Sequence, residues 1–285
     1  MRTFLLLVLV IILSTGTSWY MARKAGPAAV AEETAYARVM RTDTIRCAYW
    51  TLPPIAVRDP NTGKLGGLTV ALFEDIAKRL ELNIEWVEEV NFANMVEGLK
   101  TRRYDSICTG SWLGAARGRE VEYTAPYMYS AVVPAVRAGD TRFDAALEAL
   151  DNPAVKIAVQ DDELSQILAS EFPKAVALSV PSTAGVAQLY MDVESGKADA
   201  TLADIGNFFD YNKKNPGKLK LVHTDRPVRV YPWVYPVAKG EHELASMLDA
   251  AVQEQIYNRQ VQKTVVEQGL SIGMYQYVVP SVGQQ

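Results

Sequence analysis

YDSICTGSWLGAARGREVEYTAPY, residues 104–127, holds the step on which the fold turns. Tyr104–Cys108 reads as a short strand. Gly110, Gly114, Ala115, Ala116 and Gly118 then make a small-residue loop that carries Arg117 and Arg119, and an apolar run follows that ends in Pro126-Tyr127. An arginine in such a loop is either solvated or aimed into a cleft, where its fork of donors holds an anion. The surrounding chain has to decide between the two.

Outward from this stretch, strands and helices alternate. Upstream, Thr44–Tyr49 and Asn83–Val87 read as strands. Residues 69–81 place Val70, Leu72, Phe73, Ile76, Ala77 and Leu80 at helical spacing, and residues 92–101 do the same with Phe92, Met95, Val96 and Leu99. Downstream, strands at Ser130–Val136, Val155–Val159, Ala175–Val180, Ala200–Leu202 and Leu219–Val222 alternate with helices at 143–150, 164–171, 184–193 and 207–214. Such alternation predicts α/β architecture, with parallel sheets and helices on their faces. VRVYPWVYPV, residues 228–237, reads as a long aromatic strand whose prolines suit a crossing or an edge. Helices occupy most of 241–268. Two such sets, each with its own core, make two lobes: 41–132 with 233–280, and 133–232. The chain enters the second lobe once and leaves it once, so the two crossings form a hinge. Ligands favour the crevice between such lobes.

The chain's 285 residues are 49% hydrophobic and 22% charged, as in an ordinary globular protein, and a net charge of −4 offers nothing to nucleic acid. Residues 1–31 stand apart. Arg2 precedes the apolar run Phe4–Leu13, and Arg23 and Lys24 follow an uncharged stretch. This segment reads as a cleaved signal peptide or as an uncleaved membrane anchor with its linker, and either places the folded part outside the cytoplasm, in the periplasm. An exported protein could pair Cys47 with Cys108. Both lie in runs that read as neighbouring strands, which rarely give disulfide geometry, so two buried thiols are expected. His223 and His242 are isolated, so no metal site is expected. No phosphate-binding loop or nucleophile-elbow motif is present, and no cofactor is expected.

The order and spacing of the motifs resemble the periplasmic solute-binding proteins of family 3, over roughly residues 43–270. Pro53-Pro54-Ile55 stands where that family has Pro-Phe, and Gly63–Leu68 where it has a glycine-bounded turn before its first helix. Phe92 falls where an aromatic opens the second helix. Counting from Asp105, the family's threonine falls on Gly114, its arginine on Arg117, and its aromatic and Pro-Tyr on Tyr123 and Pro126-Tyr127. GKADATLAD, residues 196–204, matches the second-lobe pattern that ends in Asp204. The resemblance implies a type II two-lobe periplasmic binding fold, a small amino-acid-like ligand and an ABC-transporter permease as partner. It implies that Arg117 holds the ligand's α-carboxylate and Asp204 its ammonium, with Phe92 and Thr109 at the pocket; Trp50, and Trp112 where the family has a small residue, fall in loops after strands and read as pocket walls. Asp162 and Glu163 depart from the pattern: they stand where the family has Gly-Thr. A carboxylate there repels an anion, so the pocket should favour extra positive charge.

Plainer readings stand beside these. Arg117 could be a surface residue, Asp204 a helix cap, and Asp161-Asp162-Glu163 an N-terminal cap with its charge against the dipole. Trp50, Trp112 and Phe92 could belong to the core. Arg119 reads as solvated, and Tyr231, Trp233 and Tyr235 as packing at the hinge. A binding protein without catalysis is the expectation. A periplasmic dehydratase of the same fold, with Glu163 as general acid, is the alternative, as is an anchored sensor or accessory module.

Overall fold

The computed structural model describes residues 33–91, 94–161, 163–270 and 275–277. Residues 1–31, read above as a signal peptide or membrane anchor, lie outside the described residues, as do Phe92 and Asp162. In chain order, α1 (Ala35–Thr42) leads into β1 (Thr44–Tyr49), and β2 (Val57–Arg58) pairs back on β3 (Leu65–Gly66). Then come α2 (Leu68–Arg79), β4 (Asn83–Glu89), α3 (Met95–Lys100), β5 (Ser106–Ile107), β6 (Ser111–Trp112) and β7 (Val121–Tyr123). Next are β8 (Met128–Arg137), β9 (Lys156–Gln160), α4 (Glu163–Glu171), β10 (Val176–Val180), α5 (Ala187–Glu194), β11 (Ala200–Asp204), α6 (Ile205–Lys214) and β12 (Leu219–Leu221). The chain closes with β13 (Arg229–Val234), β14 (Pro236–Ala238), α7 (His242–Tyr257), α8 (Gln260–Glu267) and β15 (Gln276–Tyr277).

These strands form two large sheets. The first has the order β4-β1-β5-β14-β7, and the second runs β10-β9-β11-β8-β13-β6, with β12 and β15 also on β8. Each sheet has its own core. Ile45, Leu72, Phe73, Ile76, Leu248 and Val252 pack against the first; Val132, Ile157, Val159, Leu189, Leu202 and Phe208 pack against the second. The apolar spacing read in 69–81 is the buried face of α2. Gly67 turns the chain into that helix at φ 98°, where a Cβ would stand 2.7 Å from the Ile55 carbonyl oxygen, so only glycine fits.

The sheets are mixed where alternation predicted parallel ones. In the first sheet β4 and β5 run parallel to β1, but β14 is antiparallel to β5 and β7. In the second, β9 is parallel to β10 and β11, while β8 is antiparallel to β11, β12 and β13. The cause is the crossing. A chain that enters and leaves a lobe through one gap must run in opposite directions on its two passes. The chain passes from β7 of the first sheet to β8 of the second between Tyr123 and Met128 and returns from β13 to β14 at Tyr235, while β6 and β15, which flank these passages, also lie on the second sheet. Residues 228–237 therefore divide between β13 and β14 and are not one strand. Pro134 sits mid-strand in β8, opposite Leu202 of β11, and its carbonyl accepts from the Val222 N–H at 3.0 Å where the β12 pairing ends, so its missing N–H falls at the end of that ladder.

Two further expectations are corrected. The helix read at 143–150 is a single 3-10 turn, Leu147–Leu150; Ala146 before it is extended and has no side chain to cap a longer helix. Cys47 and Cys108 are joined as a disulfide, with Cα atoms 5.3 Å apart. The ladder places Cys47 opposite Ser106, and Cys108 lies two residues on, just past the end of β5. It is this diagonal offset on one face that brings the thiols together. Among the described residues, no helix is long and apolar enough to cross a membrane.

Candidate functional site

A cavity of about 440 Å³ lies between the two sheets. The first lobe contributes Trp50, Met95 and Arg117 to its lining, and the second contributes Glu163, Asp204 and Asn207.

Its aromatic wall is built from three strands lying side by side. Trp112 of β6 is opposite Trp233 of β13, and Ser130 of β8 is opposite Tyr231. The indole N–H groups of Trp112 and Trp233 both donate to the Ser130 hydroxyl oxygen, at 3.1 and 2.9 Å. Trp112 stacks on Tyr231 with ring centroids 4.4 Å apart, and Trp50 stacks on Trp233 at 5.6 Å. The Trp50 indole N–H donates to the Gly110 carbonyl at 2.6 Å. With their N–H groups bonded to the protein, all three indoles keep their rings for packing and for the cavity.

Arg117 opens a 3-10 turn, Arg117–Arg119, after the small-residue loop. Its Nη2 donates to both carboxylate oxygens of Glu163, each at 2.6 Å, and its Nη1 lies 3.3 Å from the Met95 sulfur. The two side chains are only 15% and 13% exposed. Glu163 is the first residue of α4, where the helix dipole favours a carboxylate. The pair thus joins a loop of the first lobe to a helix of the second. Gly114 makes room for it: a Cβ there would stand 3.2 Å from Glu163 Oε1 and 3.3 Å from Arg117 Nε.

Asp204 ends β11 and is 5% exposed. Its Oδ1 caps α6, accepting from the backbone N–H of Gly206 at 2.9 Å and of Asn207 at 3.3 Å. Among the described residues its carboxylate meets no donor beyond these two amides and the Ser130 hydroxyl, and Asn207 Oδ1 has no hydrogen-bond partner. Burial raises the Asp204 pKa; the nearby Ser130 hydroxyl and the two capping amides oppose the shift. The cap and the cavity wall are therefore the same residue.

Of the expected site residues, Trp50, Trp112, Arg117, Glu163 and Asp204 meet at this cavity. Thr109 does not line it. Thr109 is fully buried behind Trp50, whose backbone N–H donates to the Thr109 hydroxyl oxygen at 3.2 Å. Its part is to seat the Trp50 loop. Arg119 is exposed, in accord with its solvated reading. Sequence reasoning passed over Trp233, Ser130, Met95 and Asn207 as site residues. The alternation of Tyr231, Trp233 and Tyr235 beside a hinge was the available signal for the first. Nothing local marked Ser130, whose partners come from two other strands.

Residues 45–267 match the model of the bacterial extracellular solute-binding proteins, family 3. The chain is 24% identical over 217 residues to a probable amino-acid ABC transporter-binding protein of Haemophilus influenzae, covering 76% of this chain and 80% of that protein. It is 24% identical over 210 residues to the L-cystine-binding protein TcyA of Bacillus subtilis, covering 72% of each. Among solved structures it resembles the ancestral amino acid-binding protein AncCDT-1, a precursor of cyclohexadienyl dehydratase. That likeness has a TM-score of 0.70 at 22% identity and covers 82% of this chain and 98% of that one.

Proposed function

Because the chain belongs to the bacterial extracellular solute-binding proteins, family 3, we propose that it captures a small, polar, amino-acid-like solute in the periplasm and delivers it to an ABC-transporter permease. The observation that carries this reading is the cavity itself. It lies between two sheets, and both supply charged side chains to it. A solute that touches both lobes favours the closed form through contacts it makes only there. In this reading Asp204 receives the solute's cationic group, Trp50 and Trp112 pack against its body, and Arg117 with Glu163 closes one end. Of the lining carboxylates, Glu163 is matched by Arg117 and Glu89 lies 3.7 Å from Arg58, which leaves Asp204 facing the cavity without a basic partner among the described residues and supports a solute with positive charge. The names of the two relatives, an amino-acid ABC transporter-binding protein and an L-cystine-binding protein, support the solute class.

The geometry around Glu163 favours binding over dehydration. Both its oxygens accept from Arg117, whereas a general acid needs a proton to donate. The test is a thermal-shift and calorimetry screen of the purified chain across amino acids, polyamines and small acids. A solute at one hundred times its Kd should stabilise the native state by about 2.7 kcal/mol and be recovered unchanged. Turnover of a prephenate-like acid, or no shift with any solute, overturns the reading.

A further inference from the structure

We propose that Glu163 is the specificity determinant of the cleft: it fills the Arg117 guanidinium from the opposite lobe and so selects organic amines that lack a carboxylate over the parent amino acids. The inference rests on the binding reading above and concerns the same cavity.

Three observations carry it. First, the anion site is already satisfied. Arg117 Nη2 reaches both Glu163 oxygens at 2.6 Å, and the pair is largely withdrawn from water. A carboxylate brought by a ligand has to displace one tethered to the protein, whose effective concentration is high whenever the lobes are together. The pair also stands as a partition. A second cavity, of about 600 Å³, shares Arg117 and Glu163 as lining with the first.

Second, the loop is shaped to keep the pair. Gly114 stands where a side chain would press on both partners at 3.2–3.3 Å. Its carbonyl is fixed by the Tyr123 hydroxyl at 3.3 Å and by the Gly118 N–H at 3.1 Å. A glycine here removes any side-chain donor that could help hold a ligand's carboxylate beside Arg117.

Third, what the cavity has left suits a cation. The indole N–H groups of Trp50, Trp112 and Trp233 are bonded to the protein, and the Gln160 amide donates to the Ser182 carbonyl at 3.3 Å. On the acceptor side, among the described residues, Asn207 Oδ1 has no partner and the buried Asp204 carboxylate has none beyond its two capping amides and the Ser130 hydroxyl. Aromatic rings beside unpaired acceptors recognise an ammonium or guanidinium. They offer little to a carboxylate.

Calorimetry with pairs of ligands that differ only by the carboxylate tests the proposal: agmatine against arginine, cadaverine against lysine, tyramine against tyrosine. The protein should bind the amine of at least one pair tenfold or more tighter than its amino acid. Glu163→Gln should erase that preference by raising amino-acid affinity tenfold or more. The double variant Arg117→Met/Glu163→Met removes the pair without leaving a buried charge. It should gain no affinity for the amino acid, since no guanidinium is left to receive a carboxylate, and a tenfold gain there overturns the proposal; this also covers the case in which Glu163→Gln does not fold. Tighter binding of the amino acid in every pair overturns the proposal and leaves the binding reading standing. An unchanged preference in Glu163→Gln does the same. Silence from all three proteins with all six ligands overturns the binding reading for this chemistry and the inference with it.

Discussion

At Asp204 one oxygen of a buried carboxylate caps α6, and the Ser130 hydroxyl is the side-chain donor beside the group. Burial raises its pKa, so the folded protein holds this proton to higher pH than the unfolded chain does. Stability is therefore lost as pH rises from the unfolded value through the folded one. Asp204→Asn keeps a good capping side chain and cannot ionise. Without ligand, the variant should melt at a higher temperature than the parent at neutral pH, and the two should converge below about pH 4. Circular-dichroism melts from acid to neutral pH would check this, and a less stable variant at pH 7 would rule it out. The same variant should lose at least tenfold in affinity for a cationic solute, since the charge facing the ligand is gone.

The elements that matter most to the site are β6, β8 and β13, because no one of them contains it. Ser130 on β8 receives two indole N–H groups, one from each of the other strands. Ser130→Ala leaves the fully buried Trp233 N–H without an acceptor, at a cost of about 1–3 kcal/mol. Urea unfolding followed by tryptophan fluorescence measures it, and a loss below about 0.5 kcal/mol would mean that water replaces the hydroxyl. The crossings are tied at the same level: Tyr235 N–H donates to the Thr124 hydroxyl oxygen at 3.0 Å, and Thr124 N–H to the Tyr235 carbonyl at 3.1 Å. One crossing thus holds the other where the lobes pivot.

For the whole molecule, the disulfide closes a 61-residue separation within the first sheet and leaves the second lobe untouched. By loop-closure entropy it contributes about 4 kcal/mol. Cys47→Ala/Cys108→Ala should show a loss of that order in urea, and an unchanged midpoint would contradict it. The Arg117–Glu163 pair acts at the same scale, because it joins the loop after β6 to the first turn of α4. Arg117→Ala would leave Glu163 with its charge unmatched near the cavity. That variant should melt below the parent at neutral pH, as differential scanning calorimetry would register, while equal melting temperatures would mean that water fully replaces the guanidinium.

The sequence by itself determined the α/β class, the alternation of strands and helices, and five residues that line the cavity: Trp50, Trp112, Arg117, Glu163 and Asp204. Those features are written in local periodicity, in turn residues and in the spacing from Asp105 through Arg117 to Pro126-Tyr127. Only the tertiary structure decided the strand directions, the Cys47–Cys108 bond, the withdrawal of Thr109 behind Trp50 and the partner of Arg117. Each of these depends on which residues, far apart in the chain, are brought within a few ångströms. Local pattern carries no such distance. The arginine that opened the question is neither solvated nor empty-handed: its anion is Glu163, 46 residues away, delivered by the other lobe.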